Sequence, residues 1–469
     1  MERDLWRWDA VGLAAAIRTR RISSREATRA VLDRLATVNP SLNAVTVLLA
    51  DQALAAADRA DAAVRRGDAL GALHGVPVTI KENIDQQGAA TANGVPAFKD
   101  LIATSDSPPV ANWKRAGAVI VGRTNTPAFS LRWDTDNELR GRTFNPWSRR
   151  HTPGGSSGGA AASLAVGIAP LAHGNDLGGS IRYPAYCCGV AGIRPTLGRV
   201  PSHNETAADE RPPGTQLMSV QGPLARRVRD VRLGLAAMSA RDPRDPWWSP
   251  APLLGEPAAR PLRVALTIDP AKAGVHAHVA AAVRDAGNAL ANAGYAVEEM
   301  EPPDVEGVAA TWTTICINEM RHVTQPWIRK YGGADINRSL DLTLAAVPDV
   351  DVDGYMKALA LRAKHIRDWT LFLERYSLVV GPVSTAPPFE IGFDTAGPER
   401  HAEVTRAQRL LVAVNLLGFP AVSVPTGVAG GLPTGVQIIG ARYREDLCLD
   451  AAEAIEAQRP LPTPIDPVS

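Results

Sequence analysis

The sequence predicts an α/β fold, and three observations predict it. Short β-branched runs at 75–80, 118–121, 262–268 and 295–300 read as buried strands. Stretches with helical periodicity lie between and around them, the alternation expected of α/β architecture. A glycine-serine loop, Thr152-Pro-Gly-Gly-Ser-Ser-Gly-Gly-Ala160, opens directly onto a small, apolar, helix-compatible segment, Ala160 to Val166, as a loop feeding a buried helix would.

Taken in order, residues 9–19 and 22–38 read as helices. The second opens with the capping box Ser23-x-x-Glu26, and Asn39-Pro40 is expected to end it. A third helix follows at 51–66. The strand Gly75 to Ile80 delivers Lys81 at its end, and the strand Ala118 to Val121 leads through Gly122-Arg-Thr-Asn-Thr-Pro127 into an irregular segment, Phe129 to Trp147. Its aromatic and polar groups suggest a pocket wall, with Trp133 lining an acyl pocket, while Trp147 reads as a core residue. Residues 189–201 return to strand and turn, and 203–214 read as an exposed loop. The proline-rich stretch Arg241 to Pro261 is a candidate seam within one domain spanning 1–469. A strand, a helix (277–293) and a strand then restart the alternation. Residues 307–376 read as helical with breaks at Gly332-Gly333 and Pro348, strands are expected at 377–381, 421–425 and 436–440, and a helix at 445–458 closes the chain.

The 469 residues carry 50 Lys+Arg against 49 Asp+Glu, which gives no electrostatic reason to expect nucleic acid or an anionic membrane as partner. A small, neutral or mixed substrate fits better. The start, Met1 to Asp9, is charged and has no apolar run behind it. The most membrane-like stretch, Gly158 to Ala172, is short, glycine-rich and interrupted by Pro170, so a soluble, cytoplasmic protein is expected. Four cysteines, with Cys187 and Cys188 adjacent, make no disulfide framework and are expected to be reduced core residues. None of the nine histidines has a zinc spacing, and His276-Ala-His278 reads as the cap of an exposed helix.

The chemistry concentrates in two loops, the one already quoted and Asn175-Asp-Leu-Gly-Gly-Ser-Ile-Arg-Tyr-Pro-Ala185. Serine among glycines lets backbone approach closely and lets N–H groups converge on a ligand oxygen. Acyl transfer needs that combination: a hydroxyl to attack and donors for the charge developing on the carbonyl oxygen. Taken singly, Gly154 to Gly159 also reads as a flexible linker, Gly178 to Ser180 as a tight turn, and Lys81 as a surface lysine. Gly154-x-Ser156-x-Gly158 also fits the nucleophile elbow of α/β-hydrolases, which uses a later Asp and His. An elbow must follow a strand, and Arg149-Arg-His-Thr-Pro153 is not one.

Together, Gly75-Val-Pro-Val-Thr-Ile-Lys81, Pro153-Gly-Gly-Ser-Ser-Gly-Gly159 and Asp176-Leu-Gly-Gly-Ser-Ile-Arg-Tyr-Pro-Ala185 resemble the amidase signature family, in its motif order. Ser156 and Ser180 stand 24 positions apart, which matches its spacing. Weaker likeness runs from Asn145-Pro-Trp147 through Gly222-Pro-Leu-Ala-Arg226 to Gly418-Phe-Pro-Ala421 and Gly431-Leu-Pro-Thr-Gly435. The resemblance implies a large central mixed sheet covered on both faces by helices, and an amidase that splits the C–N bond of a small carboxylic amide through an acyl-serine intermediate. It implies Ser180 as nucleophile, Ser156 as a bridging serine held by a cis peptide, and Lys81 as base. Backbone N–H groups of Leu177, Gly178, Gly179 and Ser180 would form the oxyanion hole, and Asp176 with Arg182 would tie the loop. No metal or organic cofactor is expected, and a homodimer is compatible with the reading. To act as a base at neutral pH, Lys81 must be stripped of water and brought within hydrogen-bond reach of Ser156, which must in turn reach Ser180. Within the family the alternatives are an esterase or aryl acylamidase, and the ammonia-producing glutaminase component of a tRNA-dependent amidotransferase, which commonly has glutamine where this chain has Tyr183. An inactive amide-binding relative is the non-enzymatic alternative.

Overall fold

A strand whose two faces are both covered needs apolar residues on both, which is why the strands read as continuous apolar runs rather than as alternating ones. The computed structural model describes residues 4–468, so Met1 to Arg3 of the charged N-terminal stretch lie outside it. Eleven strands form one mixed sheet: β1 (Val45–Leu48), β2 (Pro77–Lys81), β3 (Val119–Thr124), β4 (Leu171–Asp176), β5 (Ala191–Arg194), β6 (Val220–Ala225), β7 (Arg263–Leu266), β8 (Ala296–Glu299), β9 (Leu378–Pro382), β10 (Ala421–Ala429) and β11 (Leu432–Gly440). Their order is β1-β3-β2-β4-β6-β5-β10-β11-β9-β7-β8.

Side chains alternate across the sheet with the period of two that strands impose. Val264, Leu378, Val380, Val422 and Ile438 enter one core, under the helices Ala10–Arg18, Val228–Met238, Ala277–Asn292 and Glu445–Gln458. Their neighbours Ala265, Val379, Ala421 and Ile439 enter a second core on the opposite face, under Val305–Glu319, Val352–Leu373 and Arg409–Leu417. The helices Gly158–Ala165 and Arg182–Cys188 lie on that second face as well. In β2, Val78 and Ile80 take the first face, so the alternation turns Lys81 toward the face that carries the helix after Ser157. Strands β2, β3 and β4 run parallel, so Lys81 and Asp176 end at the same edge of the sheet. Ligands of open α/β sheets sit at that carboxyl edge.

The expected α/β architecture is present, with differences in detail. The second helix runs through Pro40 to Leu42, and Asn39 then turns the chain by accepting the N–H groups of Ala44 and Val45, both at 2.9 Å. The Ser23/Glu26 capping box is formed. Strands β1, β4 and β6 are additional to those expected, and the last two expected strands are longer and pair as a hairpin. His276 caps its helix through the N–H of His278, and all four cysteines are free and buried. No helix among the described residues is long and apolar enough to cross a membrane.

Candidate active site

The Gly/Ser loop is packed solid. From Thr152 to Ala160 every residue is buried, and a Cβ on Gly155 would lie 2.2 Å from the carbonyl oxygen of Arg132. The glycines are therefore a fit between backbones, not slack, and the linker alternative fails. The Gly155–Ser156 peptide is cis, and the helix Gly158–Ala165 starts directly behind the serines.

Lys81 is fully buried. Its Nζ lies 2.7 Å from Ser156 Oγ, 3.1 Å from Ser157 Oγ and 2.8 Å from Asn175 Oδ1. Burial pushes the amine well below its ordinary pKa of 10.5, and the Asp176 carboxylate only partly opposes this. A neutral amine has two N–H donors and one lone pair. Ser156 Oγ, Ser157 Oγ and Asn175 Oδ1 all stand where they accept from the amine, and once the amine is neutral its lone pair is free to take the Ser156 hydroxyl proton. Asn175 is itself fixed by a reciprocal amide pair, its Nδ2 donating to Asn83 Oδ1 at 2.9 Å and its Oδ1 accepting from Asn83 Nδ2 at 3.2 Å.

The second loop, Asp176 to Arg182, is organised by one carboxylate. Asp176 accepts from Arg182 through both its Nε and Nη2 at 3.1 Å, from Asn415 Nδ2 at 2.8 Å, and from the N–H groups of Gly179 and Ile181 at 2.8 and 3.2 Å. Burial would raise this carboxyl, but the adjoining Arg182, with Arg194 and Asn415, holds it well below the usual carboxylate range. The role expected of Asp176 and Arg182, tying the loop, is what the geometry supplies.

The Asp176 carbonyl accepts from Arg194 Nη1 at 3.0 Å. The Leu177 carbonyl accepts from Trp312 Nε1 at 3.1 Å, and the Gly178 carbonyl from Trp133 Nε1 at 2.8 Å. The Gly179 carbonyl accepts from Tyr183 N–H at 2.8 Å, and the Ser180 carbonyl from Ser157 N–H at 3.2 Å, which joins the two loops. Of the four N–H groups expected to hold an oxyanion, that of Gly179 is taken by Asp176 and is not free for a ligand. Among the described residues those of Leu177, Gly178 and Ser180 have no protein acceptor. Leu177, Ser180, Trp133 and Trp312 are partly exposed, so the loop opens to solvent between two indoles.

The structure thus brings Lys81 to Ser156 as expected. It does not close the second half of the relay, since no hydrogen bond among the described residues joins Ser156 to Ser180. Such contacts commonly tighten only around bound substrate. Trp133 stands against the serine loop, while Trp147 is half-buried and donates to the Cys188 carbonyl at 2.9 Å. The elbow alternative finds no support: among the described residues no histidine bonds Ser156 or Ser180. His173, fully buried, is held to a pKa of about 3 by burial and pairs with Gln221 at 2.9 Å. Asn175, Ser157 and the indole contact of Trp312 were not assigned from sequence. Asn175 opens the second serine loop, and the helical stretch around Trp312 to Trp327 was expected to bear on substrate choice, but the contact of Trp312 with Leu177, 135 positions away, has no local signal. Among the described residues no group of His, Cys, Asp and Glu could hold a metal ion.

The family model for amidases matches residues 26–449. The chain is 50% identical to an indoleacetamide hydrolase of Bradyrhizobium diazoefficiens over 453 residues, 96% of this chain and 86% of that one. It is 47% identical to a second indoleacetamide hydrolase, from Bradyrhizobium japonicum, over 371 residues, 79% of this chain and 80% of that one. Among solved structures it is similar to a bacterial aryl acylamidase of the amidase signature family, with a TM-score of 0.82, 26% identity, and coverage of 98% of this chain and 97% of that one. Fold and relatives define an enzyme that hydrolyses amides. The chain belongs to the amidase signature family.

Proposed function

We propose that this amidase hydrolyses a small primary arylacetamide, of the indoleacetamide type, through an acyl-Ser180 intermediate. The observation that carries the mechanism is the fully buried Lys81 amine 2.7 Å from Ser156 Oγ. The substrate class rests on the 50%-identical indoleacetamide hydrolase, together with the partly exposed indole of Trp133 against the serine loop.

Neutral Lys81 accepts the Ser156 proton while Ser156 Oγ takes the Ser180 proton, and Ser180 Oγ attacks the amide carbon. The Ser156–Ser180 contact closes with substrate bound. The oxyanion forms against the N–H groups of Leu177, Gly178 and Ser180, in a loop already rigid and so needing no reorganisation. The proton returns along the same path to the nitrogen, the C–N bond breaks, and ammonia leaves an ester on Ser180. Water, deprotonated by the same relay, attacks that ester and releases the carboxylic acid. Trp133 forms one wall of the acyl pocket. Its replacement by alanine is expected to change the preference between aryl and aliphatic amides, and an unchanged substrate profile would count against that role.

Quenched-flow mass spectrometry with indole-3-acetamide tests the intermediate. A mass increase equal to the acyl group on the peptide containing Ser180, absent in Ser180→Ala, is expected. Turnover by Ser180→Ala at the wild-type rate would overturn the assignment.

A further inference from the structure

The oxyanion loop is aimed partly by a residue from a distant part of the chain. A trans peptide unit points its C=O and N–H in opposite directions, so gripping one end aims the other. In the unit between Leu177 and Gly178, the carbonyl is gripped by Trp312 Nε1 at 3.1 Å, and the Gly178 N–H at the other end has no protein acceptor among the described residues. The next unit is held at both ends, by Trp133 on the Gly178 carbonyl and by Asp176 on the Gly179 N–H, each at 2.8 Å. The two indoles therefore do different things, since only that of Trp312 fixes an N–H that remains available to substrate.

The packing agrees with the hydrogen bond. A Cβ on Gly178 would lie 3.0 Å from Trp312 Cζ2, so the ring rests directly on the backbone of the donor. Leu177 packs into the same core as Trp312, on the face covered by the helices Val305–Glu319 and Val352–Leu373. Helix Val305–Glu319 also carries Glu319, whose carboxylate accepts from Thr215 N–H at 2.8 Å and from the Tyr355 hydroxyl at 2.6 Å. The helix bearing Trp312 is thus anchored independently of the loop that it grips.

We infer that Trp312 is a positioning residue for the oxyanion hole: its indole N–H holds the Leu177 carbonyl so that the Gly178 N–H faces the developing negative charge. This rests on the acyl-Ser180 reading above. An interaction made only as charge develops acts on kcat and leaves ground-state binding alone. Outright loss of one oxyanion donor costs about 10²–10³ in kcat, so loss of its aim is expected to cost about 10- to 100-fold.

Trp312→Phe removes the N–H and keeps an aromatic ring. Benzothienylalanine at position 312 keeps the bicyclic shape as well, and serves if the phenylalanine variant folds poorly. With indole-3-acetamide, both are expected to lower kcat by that factor with KM little changed. The inhibition constant of an arylboronic acid, which forms an anionic tetrahedral adduct with a serine, should weaken in proportion. The affinity of indole-3-acetamide measured in a Ser180→Ala background should stay the same. Wild-type kcat and boronate affinity in a folded variant would overturn the inference, as would equal losses of amide and boronate affinity, which mark simple packing. Wild-type turnover by Ser180→Ala alone would instead remove the acyl-Ser180 reading.

Discussion

At the scale of single residues, the site turns on which protons Lys81 holds. Three oxygens, of Asn175, Ser157 and Ser156, surround the amine, and its burial favours the neutral form. Replacing Asn175 by aspartate puts a carboxylate beside that amine, which favours the ammonium form and raises its pKa. Because an ammonium accepts no proton, the low-pH limb of kcat/KM is expected to move to higher pH in Asn175→Asp, and an unmoved limb would contradict the assignment of Lys81 as base. A second consequence concerns stability. Burial lowers the folded pKa of Lys81 well below 10.5. Between that lowered value and 10.5 the unfolded chain binds a proton that the native protein does not, so this group's contribution to stability improves as pH rises across the window. Lys81→Met lacks that contribution. Denaturant midpoints at pH 7 and pH 9.5 should show wild type gaining on the variant, and a constant difference would mean that the amine titrates normally. Lys81, Ser156 and Ser180 were legible in sequence because each lies within a motif of its own. Asn175 and Ser157 lie in the same two loops but, like Trp312, showed no role in sequence, because their contacts appear only after distant strands and helices are packed.

At the scale of elements, the two loops are held by backbone that tolerates no side chain. Gly179 has φ +92°, and a Cβ there would lie 1.9 Å from Leu411 Cδ2. Gly179→Ala is expected to cost about 1–3 kcal/mol of stability from backbone strain alone, with the clash added. In a Leu411→Ala background, which removes the clash, Gly179→Ala should cost only the strain, so thermal unfolding should show a smaller loss from Gly179→Ala there than in wild type. Breaking the buried Asp176–Arg182 pair with Arg182→Leu leaves an unmatched carboxylate and is expected to cost about 3–5 kcal/mol, read by denaturant unfolding. Most helices and the apolar strands were legible, because their periodicity survives on both faces of the sheet. Strand β4 was hidden because its last four residues, His173-Gly-Asn-Asp176, are polar or glycine instead of apolar. Strand β6 was hidden because Gly222 and Pro223 interrupt it, and proline is usually confined to sheet edges. Here Pro223 sits in an interior strand, opposite His173. Pro40 misled in the opposite sense, since it sits in the last turn of a helix that continues to Leu42.

At the scale of the whole molecule, an eleven-stranded sheet covered on both faces keeps an amine fully out of water at the end of a strand. Parallel β2 and β4 bring that amine and the Asp176 loop to one edge, and the Gly/Ser loop closes over it. The mixed sheet and the family were legible from motif order, whereas the strand order was not, because neighbours such as β5 and β10 are far apart in sequence. The most direct measurement is the single-turnover rate of Ser180 acylation by indole-3-acetamide across pH, in wild type and Lys81→Met. The rate in the variant is expected to be lower by about 10²–10⁴-fold, the usual worth of a positioned general base, together with loss of the low-pH limb. A wild-type rate with the limb intact in Lys81→Met would contradict the assignment of Lys81 as that base.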